Sequence, residues 1–387
     1  MKSLRSPSRA AWRIARSSLC GSCRRTYATA KSETSPAASA AELERARAYC
    51  ANLLRHYDSP SFTLQTFIPP HARDAYLAIR AFNIDVARVA DQTSNTTVGR
   101  MRMQFWRDAV ARALQGSPPK EPVAVLLAHA AEALSTRTDG HARLGKAWFL
   151  RIISEREKAL GNPPFANLAA LESYAENTYS TLLYLTLQAL PMASVTADHL
   201  ASHIGKATGI ATVLRGLPLI AFPPAPNHHS NQAAFGGALP GGRQGAVLLP
   251  LDIMAEAGVK EEDVLRYGAE ATGLRDAVFA VATRANDHLI TARSMLSSLH
   301  AGGEVDHDFE HVHEEEHRYS PQQLSAGTHT QLQDVERGFG ALMPAVATGL
   351  WLEKLQKLDF DVFNPKLRTT DWKLPWRAYW AFRQKKI

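Results

Sequence analysis

The sequence has little that could cross-link it, span a bilayer or build a sheet. Three cysteines among 387 residues exclude a disulfide scaffold. No run approaches the ~18 consecutive apolar residues that a membrane-spanning helix needs, so no such helix is expected. Strict apolar–polar alternation is nearly absent, which argues against strands. There is no glycine-rich phosphate loop behind a strand, no nucleophile elbow and no metalloprotease motif. With 45% hydrophobic and 21% charged residues the chain still has the composition of a globular fold, so wholesale disorder is excluded too.

Acids are missing from one end. Residues 1–27 carry Lys2, Arg5, Arg9, Arg13, Arg16, Arg24 and Arg25, and the first acid is Glu33. These seven cations account for the whole net charge of +7, leaving 37 basic against 37 acidic side chains. The neutral remainder removes the electrostatic case for nucleic acid as a partner. Arginine, serine and small apolar residues without acids describe a mitochondrial transit peptide over 1–27. Arg25-Thr26-Tyr27-Ala28 has the look of a cleavage pattern, and the other reading of this stretch is a disordered basic tail that binds RNA or acidic lipid. Cys20-Gly21-Ser22-Cys23 has redox-motif spacing but no strand before it, and cleavage would discard it. Cys50 would then remain as a small buried hydrophobe.

What is present is helical periodicity. Residues 28–38 read as a flexible leader, and Ser39 with Glu42 reads as a capping box opening a helix that buries Leu43, Ala46, Cys50, Leu53 and Tyr57. Tyr76, Ile79, Phe82, Val86 and Val89 repeat the pattern after Pro69-Pro70. Further amphipathic runs cover about 101–115, 122–135, 143–160, 168–190, 196–217, 260–268, 273–299 and 331–357, most of them separated by Gly, Pro or Asn. The stretch 222–246, with four prolines and five glycines, and the Asp/Glu/His-rich stretch 301–330 read as loops inserted into one helical domain spanning 39–387. The fold class expected is all-α.

Several segments resemble squalene and phytoene synthases, in collinear order: Tyr76-Leu77-Ala78-Ile79-Arg80, Gln104-Phe105-Trp106-Arg107, Ile204-Gly205-Lys206-Ala207, Val213-Leu214-Arg215 and Leu248-Leu249-Pro250-Leu251-Asp252. The resemblance implies an isoprenoid (terpenoid) synthase-like helical bundle around a central cavity. It also implies two facing aspartate motifs that hold magnesium, because an allylic diphosphate ionises once Mg²⁺ neutralises the leaving group. Here both motifs are degenerate. The first falls on Asn83 and Ala87, the second on Gly216, Leu219 and Ile220, where Pro218 is expected to break the helix. Asp85 points about 200° away from Asn83 and cannot substitute; Asp91, one turn past Ala87, leaves a lone carboxylate at the cavity mouth.

Other segments narrow the resemblance: Arg80-Ala81-Phe82-Asn83, Met101-Arg102-Met103-Gln104-Phe105-Trp106, Glu155-Arg156-Glu157-Lys158, Tyr174-Ala175-Glu176-Asn177-Thr178, Leu182-Leu183-Tyr184-Leu185-Thr186, Ala201-Ser202-His203-Ile204-Gly205-Lys206-Ala207 and Leu358-Asp359-Phe360-Asp361-Val362-Phe363. Together they are similar to the mitochondrial complex I assembly factor 6 family. That resemblance implies a matrix protein whose partners are complex I subunits or assembly intermediates. No catalytic residue, cofactor or metal is expected on this reading. The alternatives are a prenyl-diphosphate transferase using surviving acids such as Asp91 and Glu157, and an isoprenoid or lipid carrier.

Residues expected at the old cavity are Tyr76, Arg80, Asn83, Asp91, Arg156, Tyr174, Asn177 and Arg215. Asn83, Tyr174 and Asn177 could equally satisfy one another's hydrogen bonds in a closed core. The charge run at 155–158 is expected to be an ion-paired helix surface, with Arg156 holding an anion only if it turns inward. His199, His203 and Lys206 share a helical face with no third metal ligand in view, and are expected to form a polar face. His307, His311, His313 and His317 are expected in a solvated acidic loop. The C-terminal Trp376, Arg377, Tyr379, Trp380 and Arg383 suit a membrane or partner helix, giving peripheral contact with the inner membrane. The same aromatic spacing also suits a helix docked on the core, which is the reading favoured by periodicity.

Overall fold

The computed structural model describes residues 36–93, 95–223, 245–303 and 330–387, and among them every regular element is helical. Segment 1–35, which holds the expected transit peptide, and most of both expected loops, the four loop histidines included, lie outside the described residues. Helix α1 spans Pro36–Tyr57, followed by the short α2 (Ser59–Leu64). The helix therefore starts before Ser39, which lies in its first turn rather than at its cap. Proline at the first helical position lacks only an N–H that would be unpaired there anyway. Cys50 is fully buried, and burial pushes its thiol well above the ordinary value. Tyr57 instead is exposed, its ring 3.8 Å from the Arg88 guanidinium.

Helices α3 (Arg73–Gln92), α4 (Thr96–Leu114), α5 (Pro122–Arg137) and α6 (Lys146–Lys158) form one half of the bundle, with α3 packed on α1, α4, α5 and α6. Side-chain caps define several starts: Asn95 accepts from Val98 N at 2.9 Å, and Glu121 accepts from Val123 and Ala124 N ahead of Pro122. Burial and the nearby charge of Glu121 raise the Asp85 carboxyl to about 6, on the side of α3 away from Asn83.

The expected single helix at 168–190 is three pieces. Helix α7 (Leu168–Ala175) passes through a π turn, Glu176–Ser180, into α8 (Thr181–Ala189). This turn packs against the next helix, α9 (Val195–Ala221), where Gly205 faces Ser180 so closely that a Cβ would meet its Cα at 2.3 Å. Pro218 does not end α9. It sits one turn from the end, so it removes one backbone donor and the helix continues to Ala221. By length and composition α9 could cross a membrane, yet it runs through the core against α7, α8 and α12 (Leu274–His300), with most of its apolar surface buried.

Between α9 and α12 lie α10 (Leu251–Glu256) and α11 (Glu261–Tyr267). Ala246 N–H donates to Ile220 O at 3.2 Å, so the chain leaves and returns at adjacent points around 224–244. Asp252 caps α7 from a distance, accepting from Leu168 N at 3.1 Å. The run 331–357 is divided into α13 (Gln331–Leu342), opened by a Thr330–Gln333 capping box, and α14 (Pro344–Lys357). Pro344 has no N–H to continue the ladder.

The last helix, α15 (Leu374–Gln384), packs on α14 and α2 with a face other than the one the aromatics suggest. Leu374 and Ala378 are buried, and Phe382 stacks 5.1 Å from Phe67. Trp376, Tyr379 and Trp380 are 67, 49 and 55% exposed, so the docking expectation fails for them. The helix carries two apolar stripes, and the narrower one fits the available groove.

Replacing Gly205 by alanine should destabilise the protein by about 1–3 kcal/mol or more, because the Ser180 backbone cannot move aside. A denaturant midpoint for Gly205→Ala that matches the parent would show that the π turn does not depend on this approach.

Candidate functional site

Tyr76, Arg80 and Asn83 follow one another along the inner face of α3, all buried. The Tyr76 hydroxyl donates to Ser61 O at 3.1 Å, and its ring lies 5.5 Å from the Arg80 guanidinium. Arg80 is 3% exposed, and its Nε and Nη2 have no hydrogen-bond partner. From α6, Arg156 turns inward rather than joining the surface ion pairs made by its neighbours, Arg107 with Glu157 and Lys158 with Glu155. Its Nη2 donates to Asn83 Oδ1 at 3.1 Å, and its Nη1 donates to the Tyr174 hydroxyl. Its Nε is buried and unpartnered. The guanidinium also lies over two rings, 5.3 Å from Tyr174 and 5.5 Å from Tyr179.

Arg215 enters from α9, 5.2 Å over the Trp351 ring. The protein around it desolvates the guanidinium strongly enough to pull it below its ordinary value, yet its side chain keeps accessible surface. Among the described residues no carboxylate forms an ion pair with Arg80, Arg156 or Arg215. Asp58 acts on Arg215 through space while capping α2 by accepting from Ser61 N at 3.2 Å.

Two expected members do not join. Asp91 is exposed in the last turn of α3. Asn177 bonds back to Ser173 Oγ at 3.3 Å near the surface. The π turn explains this second miss: i→i+5 bonding moves the face met by Tyr174 onto Tyr179, which sequence periodicity overlooks. Glu176, also overlooked, is half-buried in the same turn. Burial pushes its carboxyl up, but Lys206 at 3.9 Å and the hydroxyls of Tyr184 (2.6 Å) and Ser202 (2.8 Å) outweigh it and hold it down. The only sequence signal for this arrangement is the pair Gly205 and Gly209, both pressed against the π turn and α7.

The squalene/phytoene synthase family profile matches residues 54–380. The chain belongs to the squalene/phytoene synthase family. Its similarity to individual relatives runs the same length. It is 36% identical to a rat protein named NADH dehydrogenase (ubiquinone) complex I, assembly factor 6, over 89% of this chain and 84% of that one. The human protein of that name is 34% identical over 86% of this chain and 80% of its own. A Drosophila melanogaster homologue is 30% identical, covering 86 and 82%. Among solved structures, a dehydrosqualene synthase in complex with ligand superposes with a TM-score of 0.58 at 14% identity, covering 90% of this chain and 99% of that one. A squalene synthase from Alicyclobacillus acidocaldarius gives 0.55 at 14%, covering 83 and 97%. These two establish the all-α isoprenoid-synthase fold.

The family pattern implies Mg²⁺ on carboxylates, and the residues present do not fit it. At the positions where the resemblance led us to expect acids stand buried Asn83, half-buried Ala87, Gly216 and Ile220, and exposed Leu219. Among the described residues no three His, Cys, Asp or Glu side chains are grouped to hold a metal ion. Arg80 and Arg156, beside Asn83, are cations, which repel a dication.

His203 does not lie on a solvated polar face. Its Nδ1 is 3.0 Å from Nδ1 of His288, on α12, whose Nε2 is 2.7 Å from Glu172 Oε1, on α7. Periodicity along α9 could not show these two distant partners. An ionised carboxylate only accepts, so Nε2 of His288 carries a proton, and one of the two Nδ1 atoms donates to the other. Burial, reinforced by the charge of His288, His199 and Lys206, lowers His203 to about 3. Burial raises Glu172, but hydrogen bonds from His288 and Arg284 outweigh it and bring the carboxyl to about 2.

Both groups have folded values below their ordinary ones of 6.5 and 4.5. Their stabilisation is complete above those ordinary values and is lost as pH falls through them toward about 3 and 2. The melting temperature should therefore fall on acidification from pH 6.5, and His203→Phe should flatten the first part of that fall. An unchanged slope in the variant would place the acid sensitivity elsewhere.

Proposed function

We propose that this chain is a mitochondrial assembly factor for respiratory complex I, acting without ionising an allylic diphosphate. The observation that carries the reading is its full-length similarity to proteins named complex I assembly factor 6. The interior supports the second half: cations and small or apolar residues stand where magnesium chemistry needs carboxylates. Residues 1–27, rich in arginine and free of acid, would direct the chain to the matrix, and loops 222–246 and 301–330 would be insertions in one helical domain. Its partners would be complex I subunits or their assembly intermediates.

Contact with the matrix face of the inner membrane is supported by the outer face of α15. Trp376, Tyr379 and Trp380 are exposed on one stripe with Arg383, beside Arg377 and near Lys373, Lys385 and Lys386. Amphipathic rings and cations on one surface suit an anionic interface.

Cells lacking the chain should lose fully assembled complex I on blue-native gels, with subassemblies stalled. Wild type and Asp91→Ala should restore it equally, because no surviving acid has a catalytic task. A Trp376→Ala/Trp380→Ala form should shift from the membrane to the soluble mitochondrial fraction. Normal complex I in cells without the chain would end this reading, and failure of Asp91→Ala alone would return it to enzymes.

A further inference from the structure

We propose that His203 and His288, with Glu172 behind them, form a site for one late first-row transition dication, Zn²⁺ or Cu²⁺, on the seam between α7, α9 and α12. The proposal goes beyond the assembly role and does not depend on it. This seam is not the interior around Arg215: the step from His203 to Arg215 along α9 turns about 120° around the helix. His203 is half-buried and Arg284 exposed, so solvent reaches the seam, while His288 is buried.

The starting point is the meeting of two like nitrogens. Nδ1 of His203 and Nδ1 of His288 lie 3.0 Å apart, with the ring planes 47° to one another. Nε2 of His288 is committed to Glu172 Oε1 at 2.7 Å, and that oxygen also accepts from Arg284 Nε at 2.6 Å. A neutral His288 with its proton on Nε2 has its ring lone pair on Nδ1, toward His203. Once His203 carries its own proton on Nε2, both lone pairs face one point. Two nitrogens at metal-bond length stand about 2.9 Å apart at a right angle and about 3.3 Å apart at the tetrahedral angle. The observed 3.0 Å falls between these values. Binding balances without loss of a proton: the one shared by the two Nδ1 atoms moves to Nε2 of His203, and the cation takes its place.

The Glu172–His288 pair has the form in which a metal-bound histidine is ordinarily held. A carboxylate accepts from the ring nitrogen that does not ligate, fixing both the tautomer and the ring orientation. The electrostatics also differ from those beside Asn83. Here each cation has its acid, Arg284 with Glu172 and Lys206 with Glu176, so no net positive charge opposes a dication. Two imidazoles disfavour Mg²⁺ and Ca²⁺, which take oxygen ligands, and suit the later transition metals. Among the described residues no third His, Cys, Asp or Glu completes a closed set. The site is therefore an open one, with water in its remaining positions and entry along the half-buried side of His203.

The test is thermal melting of the purified full chain, stripped with EDTA, dialysed and titrated with Zn²⁺, together with an electron paramagnetic resonance spectrum at one equivalent of Cu²⁺. A saturable rise in melting temperature with Zn²⁺ is expected, and a copper signal split by two imidazole nitrogens. His203→Phe and His288→Phe should each abolish the rise. Glu172→Gln leaves both ligands in place and should weaken Zn²⁺ binding by about 10–100-fold. A chain carrying His307→Ala, His311→Ala, His313→Ala and His317→Ala should keep the whole rise, since those side chains are not ligands here. The proposal is overturned if Zn²⁺ produces no rise, if His203→Phe keeps the full rise, or if the chain with the four alanines loses it. A copper signal from oxygen donors alone would also overturn it, and that reading on the parent chain stands even if a histidine variant fails to fold. Unchanged affinity in Glu172→Gln would overturn the part given to Glu172.

Discussion

Arg156 ties together the parts of this molecule that matter for function. It crosses from α6 to Asn83 on α3 and to Tyr174 on α7, and it lies under Tyr179 from the π turn. Each of those neighbours is held in turn by something specific. Asn83 belongs to a helix buried on nearly every side. Tyr179 reaches Arg156 because Gly205 lets α9 press against the turn. A guanidinium in this position, with Arg80 on the same face of α3 as Asn83, puts positive charge in the interior, which opposes a divalent cation there.

Much of this could be read in the sequence because helix periodicity does not depend on a bound metal or ligand. The apolar positions of α1, α3, α5 and α12 repeat every three or four residues, and turns are punctuated by residues such as Gly116, Gly161 and Asn162, all three with positive φ. The collinear motifs carried the fold further than periodicity could. What was hidden depends on contacts between helices. The π turn has no signature of its own, so Asn177 was placed where Tyr179 stands. His203 finds His288 and Glu172 from two other helices. On α15 both stripes have helical spacing, and only the groove beside Phe67 and Phe339 selects Phe382 over the tryptophans. Pro218 misled for a simpler reason: a proline one turn from a helix end costs a single hydrogen bond, which burial of α9 outweighs.

The assembly role and the interior are compatible on physical grounds. A packed helical bundle offers a rigid shell, and its outer surface can change without disturbing the core. On α15 aromatics and cations stay exposed on the outer side, while the inner side of the same helix fastens it to α14 and α2.

The central claim is that positive charge in the interior opposes a divalent cation there. Crystals of the protein grown with Mn²⁺ in place of Mg²⁺, with anomalous scattering recorded at the manganese edge, test this directly. The account predicts no manganese peak among α3, α6 and α9. A peak coordinated by side chains there would contradict it and restore metal-dependent chemistry as the first hypothesis.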